Sequence, residues 1–143
     1  LATITHINTD DRQYVYAGSI EGMVRIDRAT GDLINLHTHS ETHTSSSPRV
    51  VTWISQSNEG LFWLGTQGSG VYKMEVTGDS YNFTQLVPNE HLANLSIGGV
   101  QEDVSGNLWA STTEGIAQID SSLSNVSYYN NKNIKNHYWM VLT

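Results

Sequence analysis

The residues with the greatest capacity for chemistry are the six histidines, of which three lie close together. His37, His39 and His43 belong to one polar segment that continues through Thr44-Ser45-Ser46-Ser47-Pro48. On an extended strand, His37 and His39 would project from the same face, so both imidazoles could approach one metal ion. The segment offers no third ligand held by rigid structure, and its polar composition is typical of a solvated loop. We therefore predict a loop here and no metal site.

Acidic residues form a second pattern, which suggests acid and base catalysis or calcium binding. Asp10 and Asp103 each precede an aromatic residue by six positions, and Ser57 takes the equivalent place between them. An active site needs one asymmetric cluster, whereas these side chains are dispersed along the chain at regular intervals. We predict that they cap turns, a role in which Asp and Ser are common.

Other common catalytic patterns are missing from the sequence. Gly65-Thr66-Gln67-Gly68-Ser69-Gly70 superficially resembles a phosphate-binding loop, but no lysine follows in the required position. No G-x-S-x-G nucleophile elbow is present, and the absence of cysteine excludes disulfides and thiol catalysis. We predict no catalytic residue and no bound cofactor.

The elements that would position these residues repeat along the chain. An aromatic residue within a short apolar run recurs at intervals of 47 and 46 residues, at Tyr16, Trp63 and Trp109. A glycine opens the next apolar run in every copy, at Gly22, Gly70 and Gly115. A period of 40 to 50 residues made of short strands is typical of the blades of a β-propeller.

Each repeat unit contains four runs of alternating apolar and polar residues, which predict four antiparallel strands. Gly and Asn between the runs supply the positive φ that tight turns need, and no long amphipathic helix is evident. The predicted fold is all-β, a propeller fragment of about three four-stranded blades plus the first strand of a fourth. The blades occupy 1–46, 47–92 and 93–134, and the truncated fourth occupies 135–143.

The tryptophans divide into two groups. Trp63 and Trp109 are repeat equivalents, and we expect both to wedge between blades. Trp53 and Trp139 lie in first strands, where the other copies carry less bulky residues. We expect them to pack, yet they are the candidate ligand-binding residues, lining either the central funnel or a face where sugar rings stack.

Composition limits the partners. Seven basic and fourteen acidic residues give a net charge of −7, without a basic cluster that could bind nucleic acid or anionic membranes. No run of 18 apolar residues is present, so we expect any membrane anchor to lie outside this sequence. The two terminal blades of an array each expose an unpaired face. We expect self-association to cover them, since two copies of three units would make a six-bladed ring.

A family resemblance is carried by the segments 101–120 and 61–72. Both resemble the two-component-regulator propeller repeat, E-D-x-x-G-x-L-W-I-G-T-x-x-G-L-x-x-(I/L)-D. The third unit matches best, and the first departs most, with Gln13 in place of the turn glycine and Tyr16 in place of the tryptophan.

The resemblance implies a role in sensing. Such repeats form periplasmic or extracellular propellers of bacterial inner-membrane receptors, ahead of a histidine kinase, hybrid kinase or diguanylate cyclase, and several respond to oligosaccharides. The implied function is a noncatalytic module that binds a small molecule or saccharide. The family's ligand contacts follow no motif that maps onto this sequence.

Two alternatives stay open. Streptogramin lyases have a similar propeller repeat and act through a histidine and a metal ion near the central axis. His6, His91 and His137 stand near successive first strands, although they do not share one repeat position. The other alternative is a propeller that docks protein partners and binds no small molecule.

Overall fold

Three four-stranded antiparallel sheets make up the structure, a computed structural model that describes residues 3–36, 48–57, 59–86 and 90–130. Blade 1 contains β1 (Ile4–Asn8), β2 (Tyr14–Ser19), β3 (Gly22–Asp27) and β4 (Leu33–Asn35). Blade 2 contains β5 (Val51–Gln56), β6 (Phe62–Thr66), β7 (Val71–Thr77) and β8 (Ser80–Gln85). Blade 3 contains β9 (Ile97–Glu102), β10 (Leu108–Thr112), β11 (Gly115–Ile119) and β12 (Val126–Tyr129).

The strands of each sheet are paired in chain order, as expected for propeller blades. The all-β prediction with four strands per unit is therefore confirmed. Each sheet lies within one of the predicted units 1–46, 47–92 and 93–134. The predicted fourth strand over 135–143 and the histidine segment 37–43 lie outside the described residues.

The glycine that opens each third strand has a positive φ, between 70° and 120° in all three blades. Space is also restricted at two of these positions. A Cβ at Gly115 would lie 2.3 Å from the Tyr129 carbonyl oxygen, and one at Gly70 would lie 2.6 Å from that of Leu92. Only glycine combines this backbone conformation with such a close approach.

The predicted turn caps are largely in place. The Ser57 hydroxyl accepts hydrogen bonds from two backbone N–H groups of its turn, and Asp103 does the same for the equivalent turn of blade 3. The prediction is wrong by one residue in blade 1. There Asp11, rather than Asp10, accepts from the N–H groups of Gln13 and Tyr14. Asp10 instead exchanges hydrogen bonds with the Asn8 side chain.

The hydrophobic core is divided between the junctions of neighbouring blades. Seam 1, between blades 1 and 2, buries Tyr16, Met23, Leu36, Val51, Ile54, Phe62, Leu64, Tyr72, Met74 and Tyr81. Seam 2, between blades 2 and 3, buries Trp63, Val71, Leu86, Leu92, Leu95, Ile97, Val100, Leu108, Ala110, Ala117 and Ile119. Every residue of β6 is buried because blade 2 has a neighbour on both faces.

The first strand of each blade lies innermost in the array. β5 contacts both β1 and β2, and β9 contacts both β5 and β6. The link between blades 2 and 3 carries a short 3-10 helix, Leu92–Asn94. Within the described residues, no helix is long and apolar enough to cross a bilayer.

Candidate functional site

A hydroxyl from each of the inner strands β1 and β5 bonds to the inner strand of the next blade. Thr5 in β1 donates to the Val51 carbonyl across seam 1, and Thr52 in β5 donates to the Ile97 carbonyl across seam 2. Thr5 and Thr52 occupy the same repeat position, as do the two acceptors. The repeat therefore encodes the contact between blades as well as the strands themselves.

The residue after this threonine supplies a ring to the same seam. His6 Nε2 lies 3.2 Å from the Ile54 carbonyl oxygen, and Trp53 Nε1 donates to the Val100 carbonyl oxygen at 3.1 Å. The two rings also stack on each other, with centroids 4.2 Å apart and planes inclined by 27°. His6 is therefore the repeat counterpart of Trp53. This equivalence was missed from the sequence because the side chains were compared by size and not by their ring nitrogens.

Blade 3 has no ring at this position. At the positions of the threonine and of the ring residue that follows it, blade 3 has Gly98 and Gly99. The Trp53 indole lies directly against this gap, since a Cβ at Gly99 would be 3.7 Å from its Cδ2 atom. The row of stacked rings that begins with His6 therefore ends at Trp53, beside an open space.

A groove of about 410 Å³ occupies this space. Its lining includes two indoles, one glycine, one aliphatic side chain and two polar side chains: Trp53, Trp109, Gly99, Ile116, Gln101 and Ser111. Glu102 and Asp103 stand at the same groove. Apolar ring faces beside carboxylate, amide and hydroxyl groups suit a ligand that has both a flat ring surface and hydroxyls.

Trp109 is held in place on one wall of this groove. Its Nε1 donates to the Asp103 carboxylate at 2.9 Å, and its ring stacks against Tyr129 with centroids 5.9 Å apart. The hydrogen bond from Trp109, with further ones from the turn backbone, lowers the pKa of Asp103. Asp103, like an ordinary aspartate, is ionised at neutral pH and is an acceptor at the edge of the groove.

The three repeat aromatics do not share one environment. Tyr16 and Trp63 are buried in seams 1 and 2, with 2% and 5% of their surface exposed. Trp63 Nε1 also donates across seam 2 to Glu102 at 2.8 Å. Trp109 was expected to wedge between blades, yet it is only half-buried, because no described blade packs on its side of blade 3.

Seam 1 contains a cation among tyrosines. The Arg25 guanidinium lies 4.1 Å from the Tyr14 ring centroid and donates to the Tyr81 hydroxyl. Burial raises the pKa of Tyr16, and the neighbouring Tyr81 raises it further. Arg25 Nε is buried without a hydrogen-bond partner, so this seam retains one unsatisfied polar atom.

The two histidines that the structure describes, His6 and His91, are not brought together. His6 lies in seam 1, whereas His91 lies in the link before blade 3, where its Nε2 is 2.5 Å from Glu114 and its ring meets the edge of Tyr128. His137 and Trp139 fall outside the described residues. Within the described ranges, no group of three His, Cys, Asp or Glu side chains is arranged to hold a metal ion.

Comparison with known proteins gives matches by structure alone. No protein-family model matches the chain, and no curated protein does. The extracellular domain of BT4673, a proposed hybrid two-component system of B. thetaiotaomicron, aligns over 93% of this chain with a TM-score of 0.67 and 22% identity. The extracellular domain of BT3049, another such system of B. thetaiotaomicron, aligns over 92% with a TM-score of 0.64 and 21% identity.

A third neighbour comes from a different system. PorZ, a surface component of the type-IX secretion system of Porphyromonas gingivalis, aligns over 93% of this chain with a TM-score of 0.66 and 10% identity. The chain spans only 17% of the BT4673 extracellular domain, 18% of that of BT3049 and 22% of the PorZ chain. These likenesses show the fold of part of a β-propeller. Two of the neighbours are extracellular domains of proposed hybrid two-component systems.

Proposed function

We propose that the chain is a noncatalytic, extracytoplasmic ligand-sensing module of a bacterial inner-membrane receptor. The output domain of such a receptor would be a two-component sensor kinase or a diguanylate cyclase. The main support is that BT4673 and BT3049, which share this fold over more than nine-tenths of the chain, are extracellular domains of two-component systems. The repeat pattern of the third unit supports the same class.

The proposed ligand is a saccharide bound in the groove beside Gly99. A sugar ring presents an apolar face that can stack on an indole, and Trp53 and Trp109 supply two indoles. Its hydroxyls can donate to the Asp103 carboxylate, which is ionised at neutral pH, and exchange hydrogen bonds with Gln101.

Binding at this position could report on the junction between blades. Trp53 belongs to blade 2 but is hydrogen-bonded to the Val100 carbonyl of blade 3. A ligand that contacts both Trp53 and Trp109 would therefore touch two blades at once. Its differential affinity for two arrangements of seam 2 would shift their populations, which is the physical requirement for transmitting occupancy.

The test is calorimetric titration of the protein with a panel of neutral and acidic oligosaccharides. Gly99→Trp supplies the missing ring and should fill the groove, so we expect affinity for a binding sugar to fall at least about tenfold. Val104→Trp is the matched control, because Val104 is fully exposed on the turn before β10. Sugar binding that survives Gly99→Trp unchanged would refute the groove, and no binding by any sugar would refute the saccharide class.

The lyase alternative gives a separate result in the same preparation. Metal-dependent turnover of a streptogramin, lost on His6→Ala or His91→Ala, would replace the sensing proposal with an enzymatic one. Since His6 and His91 contact different elements, we expect no turnover.

A further inference from the structure

A second cavity lies at the rim of seam 2, between blades 2 and 3. Its volume is about 340 Å³, at the lower end of the range of small-ligand pockets. Its walls come from turns of both blades, the β5–β6 turn of blade 2 with the β9–β10 and β11–β12 turns of blade 3, and Trp63 of seam 2 also lines it. This space is here called the rim cavity. Its shape is set by two blades that pack on each other within the described chain.

The rim cavity contains one positive and one negative side chain, which come from different blades. Lys73 of blade 2 pairs with Trp63 in the register of β6 and β7, and Glu102 of blade 3 accepts the Trp63 indole N–H at 2.8 Å. Lys73 forms an ion pair with Glu75 at 3.2 Å, and among the described residues none joins it to Glu102. The two unlike charges are therefore neighbours of one indole without neutralising each other.

Both charged groups keep hydrogen-bonding capacity for a ligand. The Lys73 ammonium has three N–H donors, and Glu75 takes one of them. The Glu102 carboxylate accepts from Trp63 with one oxygen and has a second oxygen. Ser57 adds a donor, because its buried hydroxyl accepts two backbone N–H groups while its own proton has no acceptor among the described residues. The rim cavity can thus donate to one part of an occupant and accept from another.

One apolar wall of the rim cavity is a leucine in an unfavourable backbone conformation. Leu123 has a φ of 59°, the only positive φ of a non-glycine residue in the described part of the chain. The corresponding turns of blades 1 and 2 use Gly31 and Gly78 for positive φ. Leu123 packs against seam 2 and lines the rim cavity together with Leu61. Leucine costs free energy at such a φ and glycine does not, so we attribute this leucine to the apolar surface that it supplies.

The charges of the lining decide which class of ligand fits. A purely anionic ligand would meet the carboxylates of Glu102 and Glu59, and a purely cationic ligand would meet the ammonium of Lys73. Like charges placed side by side are costly in either case. A neutral ligand would leave both kinds of charge without a partner. A zwitterion offers each of them an opposite charge.

We propose that the rim cavity binds a free α-amino acid with an apolar side chain, such as leucine. The carboxylate of the amino acid pairs with Lys73 and accepts from the Ser57 hydroxyl, and its ammonium donates to Glu102. Its side chain lies against Leu61 and Leu123, which removes apolar surface from water. The ligand would therefore hold blade 2 by its carboxylate and blade 3 by its ammonium.

Titration with leucine, followed by nuclear magnetic resonance at the Trp63 indole N–H, tests the site, because that proton is bonded to Glu102. We expect a saturable shift with a Kd of about 1 mM or tighter. 4-Methylpentanoate and 3-methylbutylamine keep the side chain of leucine and one charge each, and should bind at least about tenfold more weakly. Either analogue binding as tightly as leucine would overturn the zwitterion assignment. No saturable shift up to about 10 mM leucine would overturn the site itself.

Variants assign the two charges. Lys73→Met and Glu102→Gln should each weaken leucine binding at least about tenfold. Glu102→Gln keeps an oxygen that accepts from Trp63, and thermal melts establish that both variants fold. Glu21→Gln, on the exposed turn between β2 and β3, removes a carboxylate elsewhere and should bind leucine as the parent does. Parent affinity in a folded Lys73→Met or Glu102→Gln protein would refute the assigned contact.

The rim cavity and the saccharide groove can be tested separately. Gly99→Trp fills the groove but leaves the lining of the rim cavity unchanged, so leucine should still bind to it. Lys73→Met should bind sugars as the parent does, since Lys73 does not line the groove. Loss of leucine binding in Gly99→Trp protein would count against a separate site. Leucine binding can therefore fail while the sensing proposal stands, and the reverse.

Discussion

Seams 1 and 2 share one framework and differ in what fills it. Both join inner strands through a threonine hydroxyl and a ring nitrogen that reach carbonyls of the next blade. Seam 1 then buries Tyr16, Tyr72 and Tyr81 and holds Arg25 against them. The described buried residues of seam 2 are aliphatic apart from Trp63.

The difference shows which part of the repeat is fixed by geometry. Backbone carbonyls of adjacent inner strands need donors in any pair of blades, so the donor positions recur. Side chains farther from the axis need only fill the volume between two sheets, which many combinations can do. A seam can therefore bury several tyrosines beside an arginine, or mainly aliphatic side chains, while the strands that flank it keep the same order.

The largest expected effect comes from removing the wedge of seam 2. Trp63→Ala should lower the free energy of unfolding by about 3–5 kcal/mol, since it deletes a buried indole and leaves a cavity. Trp109→Ala, at the equivalent but half-buried position, should lower it by less than about 2 kcal/mol. Urea unfolding of the parent and the two variants measures both losses. Equal losses would mean that the two indoles are equally packed.

The next effect concerns the backbone of seam 2. Gly70 and Gly68 have similar positive φ values, 70° and 79°, but only Gly70 is crowded, by the Leu92 carbonyl. Gly68→Ala should therefore lower stability by about 1 kcal/mol, the typical cost of a left-handed alanine. Gly70→Ala should lower it by at least about 2 kcal/mol more, because the link before blade 3 must move. The same unfolding assay compares the two variants. Similar losses of stability would show that the link before blade 3 can shift at little energetic cost.

A smaller effect separates the two seams by charge. Arg25→Met should lower stability by about 1–2 kcal/mol, through loss of the ring contact with Tyr14 and the hydrogen bond to Tyr81. The repeat equivalent Lys73 forms an ion pair with Glu75 that is partly open to solvent. Lys73→Met should change stability by less than about 0.5 kcal/mol. If Lys73→Met lowered stability as much as Arg25→Met, the contacts of Arg25 with the tyrosines of seam 1 would have no particular stabilising effect.

The smallest expected effect is on how the stability of the fold depends on pH. Burial raises the pKa of Tyr16 and of Tyr72 above the ordinary value of 10.0. The folded state thus keeps both phenols neutral where the unfolded chain ionises them. Their contribution is fully present below pH 10.0 and is lost as the pH rises beyond it. Thermal melts at increasing alkaline pH should show a shallower decline for Tyr16→Phe than for the parent, and an identical decline would count against the burial of Tyr16.

The sequence alone was sufficient to predict much of the fold. Turn glycines and the spacing of Tyr16, Trp63 and Trp109 predicted the strands, their order and the placement of the core between blades. The cap at Asp11 was missed because two adjacent aspartates offer the same chemistry, and only the turn geometry selects one.

The candidate site was harder to predict, because its parts become neighbours only through strand pairing. The Ser111 hydroxyl lies 3.1 Å from where a Cβ at Gly98 would stand, and this proximity depends on the register of β9 with β10, in which Ser111 pairs with Gly99. Likewise, Arg25 meets Tyr81 across 56 positions of sequence. Neither contact leaves a signal within one repeat. A comparison of the three copies at one position does give a signal, because His6, Trp53 and Gly99 show that the row of rings ends before blade 3.

Exchange of the indole N–H protons with water, followed by nuclear magnetic resonance, tests most directly whether the core lies between homologous blades. Trp63 Nε1–H is bonded to Glu102 across a closed seam, and Trp109 Nε1–H is bonded to Asp103 on an open face. We expect the Trp63 proton to exchange far more slowly than that of Trp109, at a rate limited by opening of seam 2. Equally rapid exchange at both indoles would contradict the seams as the core of this chain.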